Sequence, residues 1–290
     1  MKIKDYLVLF RVKHYVKNLL IFVPFLFPAV ILSIQNLIIS AAGFVAFCFL
    51  SSAAYIVNDI FDCENDKKHS ERSSRPLASG KITKRGCFLL FAVLIAAAGF
   101  LALFIDLRCG TAGLPITGIF LVINMIYSIF AKRIPFFEML FIPLGFAMRL
   151  IYGFAILGGL PDHRICLFIF VSALYFVLQK RISEITVFGC GSRTVLMHYN
   201  VALLRALKYV CLCFVLVFFG IMHISTDVSH PLFQRIISVA LLLILFVRFE
   251  MKAAKAKSEN TIELVFSDIA MCVLGALFAL SMVNFDFLRS

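Results

Sequence analysis

Nine apolar runs, each close to 20 residues long, follow one another along the chain at 17–36, 38–60, 86–106, 111–131, 136–159, 163–180, 201–225, 232–250 and 264–287. At 1.5 Å per helical residue a run of that length matches the roughly 30 Å of hydrocarbon in a bilayer. Only 15% of the 290 residues are charged, against about 25% in soluble domains. Mean hydropathy is +1.00. A soluble fold has nowhere to bury that much apolar surface, so the expected architecture is all-α: a polytopic membrane bundle of about nine transmembrane helices, forming one domain over residues 1–290. The start, Met1 to Tyr6, is charged and amphipathic, and no cleavage pattern follows the first run, so that span is expected to be retained.

The basic residues give the expected orientation. Of 28 Lys and Arg, 23 fall in the lead-in and in alternate joints, at 61–85, Lys132 and Arg133, 180–208 and 248–257. By the positive-inside rule these segments are cytoplasmic, which puts the N-terminus inside, the C-terminus outside and the chain in the cytoplasmic (inner) membrane. The net charge of +12 sits beside membrane spans, so anionic lipid headgroups account for it and a nucleic-acid partner is not expected. The nine cysteines include no C-x-x-C pair and lie mostly in apolar runs, where a thiol behaves as a small hydrophobe.

The second cytoplasmic joint, residues 55–81, carries the chemistry. Asp59, Asp62 and Asp66 stand at i, i+3 and i+7, so a second span that stays helical to its end projects all three from one face. Three like charges at a helix C-terminus are unfavourable on their own, because the carboxylates repel and the macrodipole disfavours anions there. A cation is therefore expected among them. Hard carboxylate oxygens suit Mg2+, which is typically held by a few carboxylates together with substrate phosphate oxygens. The competing reading is a solvated acidic helix end neutralised by Lys67, Lys68 and Arg72.

The stretch from Asn58 to Asp66 reads N-D-x-x-D-x-x-x-D and resembles the first aspartate-rich motif of UbiA-type membrane transferases. Val16 to Asn18, Arg75-Pro76 with Gly80, Tyr127-Ser128 before Lys132, Gly145 to Arg149 and Lys180 to Glu184 are similar to one branch, the decaprenyl-phosphate phosphoribosyltransferases. The resemblance runs from about residue 11 to 268. It implies a bundle opening to the cytoplasm, with a polar cavity capped by the loops after the second and sixth spans. It further implies phosphoribosyl diphosphate as donor and a polyprenyl phosphate lipid as acceptor, in cell-envelope glycolipid synthesis. Asp59, Asp62 and Asp66 would hold the metal, with Asn58, Arg72, Arg75, Tyr127 and Lys132 toward the substrate.

Where aromatic prenyltransferases of the superfamily have a second aspartate-rich motif, this chain has Lys180, Arg181 and Glu184, two bases and one acid. That departure favours an anionic acceptor. Lys180 and Arg181 can grip a phosphate or serve as positive-inside anchors, while Glu184 can contribute to a second metal or orient a ribose hydroxyl. Arg149 lies about 13 residues into the fifth span, where a charge usually turns to the bundle interior, so it either faces substrate phosphate or braces an aspartate. Lys17 reaches a cavity mouth or snorkels to headgroups. Glu138 opens the same span as Arg149. The alternatives are prenyl transfer to an aromatic or quinone precursor by the same metal logic, and a transporter or non-catalytic membrane protein whose acidic helix end is structural.

Overall fold

The computed structural model describes residues 3–27, 30–68, 72–189, 194–223, 231–255 and 261–282. Helix α1 (Ile3–Leu9) leads into a 3-10 helix (Val12–Leu26), followed by α2 (Ile34–Lys68), α3 (Lys84–Cys109), α4 (Gly113–Ile129), α5 (Phe137–Ala155), α6 (His163–Phe188), α7 (Val201–Ile221), α8 (Leu232–Lys255), α9 (Thr261–Phe266) and α10 (Ile269–Ser281). Seven of these, α2 to α8, are long and apolar enough to cross a membrane. Their flanks carry exposed apolar side chains, such as Phe88, Leu89, Val93, Phe100 and Leu107 along α3. Water would not tolerate so continuous a surface, and lipid accepts it. The chain is an integral membrane protein with an all-helical polytopic fold.

The two other apolar runs differ from the sequence expectation, each for a visible reason. The first is wound as the 15-residue 3-10 helix, with Pro24 inside it. At about 2.0 Å per residue it covers about 30 Å, the depth that an α-helix needs 20 residues to reach. The ninth is cut by Asp268, whose side chain accepts from the Ala270 amide at 3.0 Å and caps α10. That carboxylate also pairs with Arg248 and Lys252 of α8, at 2.9 and 3.3 Å. The remainder, α10, is 13 residues long.

The chain divides into two compact units: Met1–Val23 with Leu32–Pro161, and Pro24–Ile31 with Asp162–Ser290. In unit 1 the core gathers Ile21, Phe47, Ala98, Phe120 and Tyr152, and a second cluster around Leu9, Ile56, Cys63 and Cys87 anchors α1 on α2 and α3. Unit 2 packs Tyr175, Val215, Phe219, Phe246 and Phe249 across α6, α7 and α8.

Helix α2 matters most for the site. Its 35 residues extend about 52 Å, well beyond the hydrocarbon, so its last turns stand clear of the apolar slab. Gly153 of α5 meets the 3-10 helix backbone to backbone: a Cβ there would fall 2.5 Å from the Ile21 carbonyl oxygen. Gly153→Ala should therefore cost about 1–3 kcal/mol through overpacking, read as a lower thermal midpoint in detergent. Gly99→Ala on α3, where a Cβ meets nothing within 4 Å, is the control expected to leave the midpoint unchanged.

Candidate active site

Asp59, Asp62 and Asp66 lie on the last turns of α2, as the i, i+3, i+7 spacing predicts. Asp59 and Asp66 are buried and Asp62 is half-buried. Each is held by a cationic side chain from a different part of unit 1. Arg11, between α1 and the 3-10 helix, pairs with Asp59 and lies 4.5 Å over the Tyr55 ring. Arg75 bridges two acids through one nitrogen, reaching Asp66 at 2.7 Å and Asp59 at 3.3 Å. Lys132, in the 3-10 turn after α4, reaches Asp62 at 2.5 Å and Asn58 Oδ1 at 3.4 Å.

Of the residues named in the competing reading, Lys67 pairs with Glu64, Arg72 lies in the 3-10 turn Arg72–Ser74, and the Lys68 side chain is outside the described residues. One expectation changes here, because the three carboxylates do not share one point. Among the described residues no three His, Cys, Asp or Glu side chains gather around a point that would hold an ion. They turn instead to the cations that offset their repulsion. The donor set of three carboxylates and the Asn58 carbonyl oxygen is still what Mg2+ takes, and the Arg75 guanidinium already sits between Asp59 and Asp66 as a stand-in cation, so these residues fit the metal.

Arg11 is a residue that sequence reading counted only as part of the basic lead-in. Its φ of 50° places it in the left-handed region, uncommon for a side chain of this size and of order 1 kcal/mol or more in cost. That turn ends α1, starts the 3-10 helix and directs the guanidinium at Asp59. Burial opposes its charge, but the Asp59 carboxylate and the Tyr55 hydroxyl outweigh burial, so its pKa lies above the ordinary arginine value. Asp5 of α1 accepts from Lys81 at 2.6 Å, which ties α1 to the same loop that supplies Arg75.

Further along unit 1, Arg149 is 6% exposed and its partners are neutral: Asn18 Oδ1 at 2.7 Å, the Gly145 carbonyl at 2.5 Å and Ser51 Oγ at 3.3 Å. It braces no aspartate among the described residues. Lys17 is half-buried, near Tyr55 and 5.5 Å over the Phe146 ring. Tyr127 packs on Phe141, ring centroids 6.2 Å apart, and has no described contact with the carboxylates. Glu138 is fully buried in the first turn of α5.

In unit 2, α6 carries Lys180, Arg181 and Glu184. Arg181 and Glu184 pair with each other, both side chains 1% exposed, and Lys180 stays near the surface with its Nζ 4.0 Å from Glu184. One turn away is a group that the sequence gave no sign of. Lys208 of α7, counted above among cytoplasmic anchors, is in fact buried. It donates to Glu250 of α8 at 2.8 Å and to Gln179 of α6 at 3.0 Å, while the Tyr175 hydroxyl donates to Glu250 at 2.6 Å.

The family model described as "UbiA prenyltransferase family" matches residues 19–271. A decaprenyl-phosphate phosphoribosyltransferase of Corynebacterium glutamicum is 28% identical over 91% of this chain and 81% of its own. An uncharacterized protein of Sinorhizobium fredii, y4nM, is 30% identical over 54% of this chain, a match that spans only 30% of that longer relative. Among solved structures, a UbiA homolog from Archaeoglobus fulgidus bound to GPP and Mg2+ superposes with a TM-score of 0.75 at 17% identity, covering 96% of this chain and 98% of that one. The chain belongs to the UbiA prenyltransferase family and is a membrane transferase with that family's helical fold.

Proposed function

We propose that this transferase moves 5-phosphoribosyl from phosphoribosyl diphosphate to a polyprenyl phosphate, releasing diphosphate, with the whole chain acting as one catalytic domain. The observation that carries the reading is a surplus of cations in unit 1. Arg11, Arg75 and Lys132 already balance three carboxylates, and Lys17 and Arg149 add two charges whose partners are neutral. Such a site suits a substrate with more than one phosphate group. The similarity to the Corynebacterium glutamicum enzyme supports the same choice.

Asp59, Asp62 and Asp66, with Asn58, would hold Mg2+, and the metal supplies charge neutralisation for the departing diphosphate. Arg75 and Lys132 move from the carboxylates to phosphate oxygens as the donor arrives, and Arg72 lies on the same loop. The anomeric C–O bond to diphosphate breaks with its electron pair leaving on diphosphate, and a lipid phosphate oxygen forms the new C–O bond. That oxygen is already anionic, so no proton has to be removed and no general base is required. Lys180 is assigned the lipid phosphate, and the Arg181–Glu184 pair fixes the helix surface beside it.

Prenyl transfer to an aromatic precursor is the second reading, favoured by the GPP bound to the Archaeoglobus fulgidus neighbour. Release of diphosphate from phosphoribosyl diphosphate tests the choice: it should require both Mg2+ and polyprenyl phosphate, and release without the lipid, or none at all, contradicts the proposal. The site is assigned to the cytoplasmic face. A reporter fused after Ser79 should read cytoplasmic and one near His230, outside the described residues, external; the reverse pattern overturns that orientation.

A further inference from the structure

Arg149 and Lys17 share one environment. The Arg149 guanidinium is 4.9 Å from the Phe120 ring centroid and 5.8 Å from that of Phe146, and the Lys17 ammonium is 5.5 Å from the same Phe146 ring. Neither is given a carboxylate among the described residues. Burying a cation in a membrane protein is costly, and ring faces and neutral dipoles recover only part of that cost. Two such charges gathered at one aromatic ring are therefore preorganised for an anion. A guanidinium fork together with an ammonium suits a phosphate dianion better than a single carboxylate.

The position of this pair is fixed by α2. Ser51, which accepts from Arg149, and Tyr55, which lies by Lys17, precede Asp59 by eight and four residues on the same helical face. The pair thus lies about 6–12 Å from Asp59 along the helix axis, toward the N-terminus of α2. The metal-binding carboxylates and this anion site are separated by roughly the length of one phosphorylated pentose.

We propose that Lys17 and Arg149 form a phosphomonoester subsite that takes the terminal phosphate of a sugar diphosphate donor while its diphosphate is held at Asp59, Asp62 and Asp66. This rests on the phosphoribosyl-transfer reading and assigns it a specificity element, because a prenyl diphosphate has no second phosphate to place there. The lipid acceptor is also a phosphomonoester, so the probes must separate the two.

Detergent-purified full chain in EDTA, titrated with ribose 5-phosphate, ribose and farnesyl monophosphate, provides the test. Wild type should bind ribose 5-phosphate and not ribose. Arg149→Gln and Lys17→Met should each weaken ribose 5-phosphate binding by at least about tenfold, while the control Gly99→Ala should leave it within about twofold. Lys17 is half-buried, so its variant keeps the test open if Arg149→Gln does not fold. No binding by wild type, unchanged affinity in Lys17→Met, or loss confined to farnesyl monophosphate overturns the proposal. Phosphate binding through these residues without any transfer from phosphoribosyl diphosphate would leave the subsite standing and remove the transfer reading. Transfer with an unchanged donor KM in Lys17→Met would do the reverse.

Discussion

Asp59→Asn and Asp62→Asn are each expected to lower turnover by about a hundred- to a thousandfold while the protein extracts and folds normally. The reason is electrostatic. Asparagine keeps the shape and one oxygen but removes the negative charge that holds a divalent cation against the leaving diphosphate, and stabilisation of developing charge is usually the largest single contribution to catalysis. Stability should change little, because the cations left behind can turn to water: the Arg11, Arg75 and Lys132 side chains are all partly exposed. Turnover by initial rate and folding by thermal midpoint separate the two effects. Near-normal activity with either variant would mean that the carboxylates only brace the end of α2 against its three cations.

The second large effect should appear in α6, where two adjacent bases are expected to behave differently. Arg181 and Glu184 are a fully buried pair, so Arg181→Ala takes the buried guanidinium away from a buried carboxylate and should cost about 3–5 kcal/mol of stability. Arg181→Lys should also fall short, because an ammonium cannot reproduce the guanidinium fork. Lys180 is partly exposed, so Lys180→Ala should stay folded and raise the apparent KM for polyprenyl phosphate about tenfold, leaving the donor KM unchanged. Thermal unfolding and steady-state kinetics check the pair. An unchanged acceptor KM in Lys180→Ala would make Lys180 a membrane anchor and remove the main support for an anionic acceptor.

The carboxylate face of α2 was legible because helical spacing alone places Asp59, Asp62 and Asp66 together, and Arg75 and Lys132 are bases in the polar joints on either side of α3 and α4. Arg11 was not. It lies 48 residues from Asp59, and only the left-handed turn at its own backbone brings the two together. Lys208 and Glu250, 42 residues apart, were hidden for another reason. Charge counting orients a membrane protein but treats a buried ion pair and an interfacial anchor alike. The apolar runs marked membrane segments well, yet apolarity reports length and not winding, so the 3-10 form of the first run could not be read. The break in the ninth was visible as Asp268, whose capping role depends on where the chain turns.

The most direct measurement supplies one purified preparation, with Mg2+, with two donors in parallel reactions. One contains phosphoribosyl diphosphate labelled in the ribose together with polyprenyl phosphate; the other contains labelled polyprenyl diphosphate together with an aromatic acid. Phosphoribosyl transfer predicts label entering the lipid fraction as polyprenyl-phosphoryl-ribose phosphate in the first reaction and no aromatic product in the second. Label moving from the prenyl donor to the aromatic acid, with none passing from ribose to lipid, would contradict it.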